Sequence, residues 1–314
     1  MGTNLYGDGD LVVSEILAQE VGLKLGERGA FWNHPAITYA GSATYMGSKV
    51  IKMDFIDSGA TKMQAVASAA AVTPDAFTFT RASITLAQQR MGRSVGDLLR
   101  VLSPSGAIRD VDAFAADAAG SYGISLSQLL ITAATGFSTD ISDTGADLTW
   151  AKIREAKATL IAANAQFTDG NVICVLHPVQ YADLEADASS AGIGDAVSRS
   201  PEAQAIQQAN GFLSGYRGSL FGIDFFTSTD VPTANAAADR QGFMACPGGL
   251  VWADALIPAS GDAANREILV DGGRMQIEFE REGSTALNNV YYQAILGAAI
   301  GQDGAGVTVT SGAT

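Results

Sequence analysis

The chain has 314 residues, 47% of them hydrophobic, enough to bury one large core or two moderate ones. Charged residues make up only 17%, so much of the surface is small, neutral or polar, which suits extensive subunit contacts because few charges need desolvating. With 33 acidic against 19 basic residues the formal net charge is −14, which excludes a dedicated nucleic-acid binder with a basic face, though not a container for nucleic acid.

In chain order, residues 1–45 mix short helical and irregular signals. Leu11, Val12, Glu15, Ile16 and Gln19 suit a brief amphipathic helix, which Gly26, Gly29 and the His34-Pro35 step then break. The segment is too short and broken to hold a core of its own and reads as an arm lying on another surface. Its first residues carry neither a basic region nor an apolar core, so no signal peptide is expected. No run of about 18 apolar residues follows, so no membrane span is expected either.

Residues 46–90 read as a long hairpin. Lys49 to Asp57 and Ala76 to Leu86 are strand-like, with Phe77, Phe79, Ile84 and Leu86 set among polar residues. The intervening stretch is rich in Ala, Ser, Gly and Thr and has little to bury, so the hairpin needs a neighbour to rest on. The longest helical pattern, 108–137, runs through Val111, Phe114, Ala118, Tyr122, Leu126 and Leu130. Asp110 or Asp112 is its expected cap and Gly136 its end, and Gly120 and Gly123 predict a bend or break in the middle. Residues 138–148 read as an acidic, turn-rich loop.

A second helix is predicted from Thr149 to about Gln166, with Trp150, Ile153, Leu160 and Ile161 on one face. Val172 to Leu176 is a continuous apolar run, as in a strand buried on both faces. Pro178 fits the first position of a short helix carrying Val179, Tyr181 and Leu184, and Pro201 is expected to open another. Strands and turns return from 218 to 258. Ile268 to Val270, Met275 to Glu280 and Val290 to Ile300 read as further strands, and Gly301 to Thr314 as a loose tail rich in Gly, Thr and Ser.

Chemistry-bearing residues are sparse. The two histidines, His34 and His177, each precede a proline, too few for a histidine-based metal or catalytic cluster; His177 is expected to cap a helix or pack at a strand end. Cys174 reads as a core thiol, and a disulfide to Cys246 has no support in the sequence. Asp140, Asp143 and Asp147 could hold calcium weakly but match no regular calcium loop, and a solvated acidic turn is favoured. Glu278 and Glu280, at strand spacing, read as a solvated edge or an interface ion-pair site. The glycine-rich stretches 7–10 and 301–306 do not open helices after strands, as a phosphate cradle would, and read as flexible termini. There is no Gly-x-Ser-x-Gly elbow and no Walker loop. No catalytic residue, cofactor or metal is expected.

Two stretches carry a resemblance. One is a helix, then Val172 to Leu176 ending at His177-Pro178, then the short helix with Tyr181 and Leu184. The other is Gly218-Ser219-Leu220-Phe221-Gly222-Ile223-Asp224 running to Val231-Pro232, followed by Gly248 to Ala255. With the order of arm, long hairpin, long helix, mixed domain and returning strands, the chain resembles the major capsid proteins of tailed bacteriophages. The resemblance implies the α+β Hong Kong 97-type fold. It places an N-terminal arm at 1–45, an E-loop hairpin at 46–90 and a peripheral domain with its spine helix at 91–148. An axial domain with peripheral parts falls at 149–258, and returning peripheral strands with a C-terminal tail at 259–314.

It further implies inter-subunit contacts through the E-loop at Lys49, Lys52, Phe55, Lys62, Met63, Phe77, Phe79 and Arg81, and through the arm at Leu11, Ile16, Phe31 and Trp32. The implied partners are copies of the chain itself, in hexamers and pentamers of an icosahedral shell, a portal protein, a separate scaffolding protein, in some cases a decoration protein, and packaged double-stranded DNA contacted non-specifically. No membrane partner is implied. The location would be the virion capsid, assembled in the host cytoplasm. Because the arm starts almost at Met1, no N-terminal cleavage is expected. Some members join an E-loop lysine to a neighbour's asparagine with the help of a glutamate; Lys62 with Asn288 or Asn289 would be the pair here, and a solvent-exposed or salt-bridged lysine is the favoured reading. The alternative within the same fold is an encapsulin-type bacterial nanocompartment shell. A soluble enzyme or binding domain is the third reading.

Overall fold

A computed structural model of the chain describes residues 31–43, 49–57, 78–96, 106–163, 171–187, 215–258, 266–282 and 287–312. In chain order the strands and helices are β1 (Ile37–Ala43), β2 (Val50–Asp57), β3 (Thr78–Thr85), β4 (Ala87–Gly96), α1 (Gly106–Ala134), β5 (Asp140–Asp143), α2 (Trp150–Ala162), β6 (Val172–Leu176), α3 (Pro178–Ala186), β7 (Tyr216–Leu220), β8 (Ile223–Thr227), β9 (Thr233–Ala234), β10 (Asp239–Ala245), β11 (Leu250–Ala255), β12 (Arg266–Val270), β13 (Met275–Glu282), β14 (Leu287–Ile300) and β15 (Gly306–Gly312). No described helix is long and apolar enough to cross a membrane.

The first sheet is organised by the long strand β14. Along one edge it pairs β13 over its first half and β11 over its second, while β4 takes the other edge from Leu287 to Leu296. β12 extends the sheet beyond β13, and β1 adds in parallel to β11. On one face lies α1, whose Ala115, Ala118, Ala119, Tyr122, Leu126 and Leu130 pack on Leu250, Trp252, Met275, Ile277, Tyr292 and Leu296. The helix is unbroken through Gly120 and Gly123, against expectation. Glycine weakens an exposed helix by about 1 kcal/mol, but this one is held along its length by a buried face. It begins at Gly106, upstream of Asp110 and Asp112, so neither is its cap.

The second sheet runs β5-β15-β10-β6-β8-β7, with β9 beside β10. β6 lies at its centre, parallel to β8 and antiparallel to β10, and every residue of it is buried. The alternation of a strand assigns Ile173 and Val175 to the core shared with α1. It assigns Val172, Cys174 and Leu176 to a second core under α2 and α3. Trp150, Ile153, Ala156 and Leu160 supply the buried face of α2; Ile161, expected on that face, is 50% exposed. Cys174 and Cys246 are buried free thiols of this second core.

Two expectations fail on this sheet for one reason. The loop at 138–148 contains β5, and the loose tail contains β15, with every residue buried. β15 pairs β10 on one side and β5 on the other, so each supplies what the other lacks. Asp140 accepts hydrogen bonds from the hydroxyls of Thr308 and Thr310, which is a structural use of that carboxylate. Glu278 also departs from expectation. β13 is an inner strand, and Glu278 pairs with Arg90 across β14 rather than lining an edge.

His177 caps α3 as expected: its Nδ1 accepts from the Val179 amide at 3.3 Å, and the Gln180 side chain accepts from the His177 amide at 3.0 Å. Gln180, wholly buried, also donates to the Arg240 carbonyl and the Ser311 hydroxyl, each at 2.9 Å, tying α3 to β10 and β15. Burial, then the Arg240 charge, holds the His177 imidazole below the usual value of 6.5. The fold therefore prefers the neutral, cap-accepting ring. Its contribution is complete above the unfolded value and is lost as pH falls through the lower folded value. Between about pH 7 and 5.5 the melting midpoint should drop on acidification, and His177→Asn, which keeps an acceptor but cannot titrate, should flatten that slope. Parallel slopes in thermal melts of the two proteins would refute the assignment.

Candidate assembly interface

The described chain begins with an aromatic clamp. Phe31 and Trp32, expected on an inter-subunit surface, are only 4% and 8% exposed within their own subunit. Phe31 sits edge-on to Phe226 and Phe243, and Trp32 edge-on to Tyr122 and Trp252, so the pair joins both sheets to α1. Rings of this size belong in the largest available core. Just beyond, His34 Nε2 donates to Asp224 on β8 at 2.9 Å, while its Nδ1 accepts from the Ala36 amide at 3.1 Å. From Ile37 the chain becomes a strand of the first sheet. Leu11 and Ile16 lie outside the described residues.

β2 and β3 pair as an antiparallel hairpin in the predicted place, Val50 opposite Thr85 and Asp57 opposite Thr78. The hairpin finds its neighbour within its own subunit. Ala82, Ile84 and Leu86, with the partly buried Ile51, Met53 and Phe55, cover the face of the first sheet opposite α1, on Val251, Ala253, Ile295 and Ala299. The approach is close enough that a β-carbon at Gly297 would lie 2.4 Å from the Thr85 carbonyl oxygen, so only glycine fits there. Phe55 is thereby engaged with its own chain, beside Gly248 and Gly301, rather than free for a neighbour. Lys49 and Lys52 are exposed, and Phe79 is 62% exposed, the most open large apolar side chain among the described residues. Arg81 grips Asp54 through two bonds of 2.6 and 2.9 Å across the pair, and this holds the Asp54 carboxyl below its usual range. The pair is solvated and adds little to stability. Lys62, Met63 and Phe77 lie outside the described residues.

Two more surface features emerge that sequence reading missed. β3 passes through Leu86 directly into β4, and between β4 and the outer flank of α1 runs a groove of about 470 Å³. Its walls include Met91, Gly120, Ser121 and Ile124, the last 55% exposed. On the second sheet, Phe221 occupies the β7–β8 turn with φ of 57°, a left-handed conformation uncommon for a side chain of that bulk. Lys157 of α2 donates to its carbonyl oxygen at 2.7 Å, and the ring stays 43% exposed.

Among the described residues, groups suited to catalysis do not converge. Asp254 is wholly buried but committed to Tyr39, Ser42 and Arg274. Burial pushes the Asp183 carboxyl up, and its Oδ2 lacks a hydrogen bond. Burial likewise pushes the Cys246 thiol up to about 12. Among the described residues no three His, Cys, Asp or Glu side chains are grouped to hold a metal ion. What the surface offers is extended backbone, exposed apolar rings and a groove, the parts of a protein–protein contact. Of the expected E-loop set, Lys49, Lys52, Phe79 and Arg81 share one outward hairpin. Asn289, a candidate for the crosslink, accepts a hydrogen bond from Ser94 at 2.7 Å.

No family model and no curated protein sequence matches the chain. Solved structures do. The capsid of Ralstonia phage GP4 is similar at a TM-score of 0.57 and 12% identity, covering 92% of this chain and 91% of that one. The capsid of cyanophage Pam1 gives 0.56 and 10%, covering 90% and 92%. The SrpI encapsulin of Synechococcus elongatus gives 0.51 and 13%, covering 85% and 83%. At such identities the likeness is one of fold, and the fold is the α+β architecture of the Hong Kong 97 type.

Proposed function

We propose that this chain, which has the Hong Kong 97-type capsid fold, is the major capsid protein of a tailed phage. It would self-assemble into hexamers and pentamers of an icosahedral shell around double-stranded DNA. The observation that carries the reading is the hairpin: its base is anchored on its own sheet, while its outward part leaves Phe79 62% exposed, with no cover from the described residues. A surface of that kind is completed by a neighbour, and a closed lattice supplies one to every copy. The chain acts as a building block, not a catalyst. In this reading the arm and axial domain complete the capsomer contacts, and DNA is held without a basic face, in keeping with the net charge of −14. A portal protein, a separate scaffolding protein and, in some shells, a decoration protein are the partners this reading implies, and the shell would form in the host cytoplasm.

The second reading, a bacterial nanocompartment, is favoured by one observation, the encapsulin among the similar structures. Electron microscopy of the expressed chain, with its neighbouring gene product supplied, tests both. Closed shells tens of nanometres across are expected; DNA inside them upholds the capsid and an enclosed enzyme upholds the nanocompartment. Only small soluble particles, even with a scaffold present, would sink both.

A further inference from the structure

We infer that the place where the two sheets exchange chain is a conformational joint, and that Phe55 keys the β2–β3 hairpin to it, so that the hairpin and the second sheet shift together. Three connections meet there: from α1 into β5, from β10 into β11, and from β14 into β15. They are bonded to one another. The amides of Gly301 and Gln302 donate to the carbonyls of Gly249 and Gly248 at 2.9 and 2.8 Å, and the Cys246 amide donates to the Ala305 carbonyl at 2.8 Å. Asp303 ties in the third connection, accepting from the Ser138 amide at 2.9 Å and from the Ser138 hydroxyl.

The joint has no slack. Cys246 to Gly249 form a tight turn, closed by the Gly249 amide on the Cys246 carbonyl at 3.0 Å, with Pro247 second and Gly248 third at a φ of 84°. A β-carbon at Gly301 would collide with the Gly248 carbonyl oxygen, so the two connections lie backbone on backbone. Close-packed parts of this kind do not deform one at a time; a shift in one is passed to the next. Phe55 is set on this point: a β-carbon at Gly301 would lie 2.9 Å from its ring, and one at Gly248 3.5 Å. Ala82, Ile84 and Leu86 hold the hairpin to Val251 and Ala253 of β11 and to Ile295 and Ala299 of β14, the two strands of the first sheet whose ends meet at the joint. On its other side lie β10 and β15 of the second sheet, paired with each other from end to end. A push on the hairpin therefore acts through Phe55 on the connections that carry β10 and β15.

The inference concerns a single subunit, so it stands or falls apart from the shell reading. The test is amide hydrogen exchange on the unassembled full chain, read in three ladders: the hairpin, β10 with β15, and β12 with β13, which belongs to the first sheet but has no part in the joint. Phe55→Ala should speed exchange in the β10–β15 ladder at least about tenfold and leave the β12–β13 ladder within about twofold. Coupling is reciprocal, so Asp303→Ala, which frees only the Ser138 bonds, should speed exchange in the hairpin at least about tenfold when Phe55 is present and less than about twofold when it is alanine. Should Phe55→Ala fail to fold, Phe55→Leu, which keeps an apolar side chain but not the ring, serves in the same comparison. Faster exchange confined to the hairpin would mean that Phe55 merely packs there, and would overturn the inference. An equal rise in all three ladders would overturn it as a general loss of stability. An Asp303→Ala effect on the hairpin that survives the loss of Phe55 would do so as well, because the path would then run elsewhere.

Discussion

Truncating the chain after Asp303 is expected to abolish folding. The residues removed include β15, every one of whose positions is buried. Val307 and Val309, 1% and 0% exposed, lie in the core under α2, and each contributes roughly 1.5–3 kcal/mol by burial. The strand's ladder bonds to β10 and β5 add about 1 kcal/mol each, and β5 has no other strand partner among the described residues. Gln180, Arg240 and Asp140 would lose partners in the same stroke. The sum rivals the whole stability of a typical domain, about 5–15 kcal/mol. The truncated chain should be insoluble or lack a cooperative melt by circular dichroism. Val309→Asp, which buries an unpaired charge, should cost several kcal/mol on its own. A truncated chain that melts like the wild type would mean that β15 is the dispensable tail its composition suggests.

That composition is the reason the strand is hard to read. Gly306-Val-Thr-Val-Thr-Ser-Gly312 reads as low in hydrophobicity, yet Val307 to Thr310 are all β-branched, the local preference of a strand. Its burial on both faces comes from β10 and β5, which no local pattern announces. The same holds for β4: Gln88, Gln89, Arg90 and Arg93 show no alternation, and the strand exists because β14 is there to pair with. Where a segment's own residues decide its environment, the reading succeeds. α1, β6, the His177 cap and the hairpin follow from periodicity, an apolar run, a His-Pro step and alternating aromatics. Phe31 and Trp32 mislead in the opposite sense. Placed near the start of the chain, they suggest an arm reaching outward, but two adjacent large rings are more stable in the joint of two sheets and a helix. The groove beside Ile124 is invisible in sequence because its two walls come from separate elements joined only by the fold.

Deleting Gly59 to Thr73, a stretch outside the described residues, is expected to separate folding from assembly. The base of the hairpin does not depend on it. Ile84 is wholly buried, Ala82 and Leu86 nearly so, and all three rest on β11 and β14 of their own subunit. The strand pairing from Val50 to Asp57 remains available to close over a shorter connection, and shortening a loop costs little, since closure entropy changes only by about 0.6 kcal/mol per doubling of length. The melting midpoint should therefore stay within about 3 °C of the wild type. Assembly has no such reserve. In a closed lattice every subunit meets its neighbours through the same surfaces, so an interface weakened in one subunit is weakened in all, and the deficit multiplies around every ring and across the shell. Shell yield under conditions where the intact chain assembles should fall below detection by microscopy and sedimentation, with soluble, folded subunits in its place. Normal shells from the deletion would show that the hairpin is an ornament of the subunit and not its means of holding a neighbour; an unfolded product would show that its tip helps hold the first sheet together.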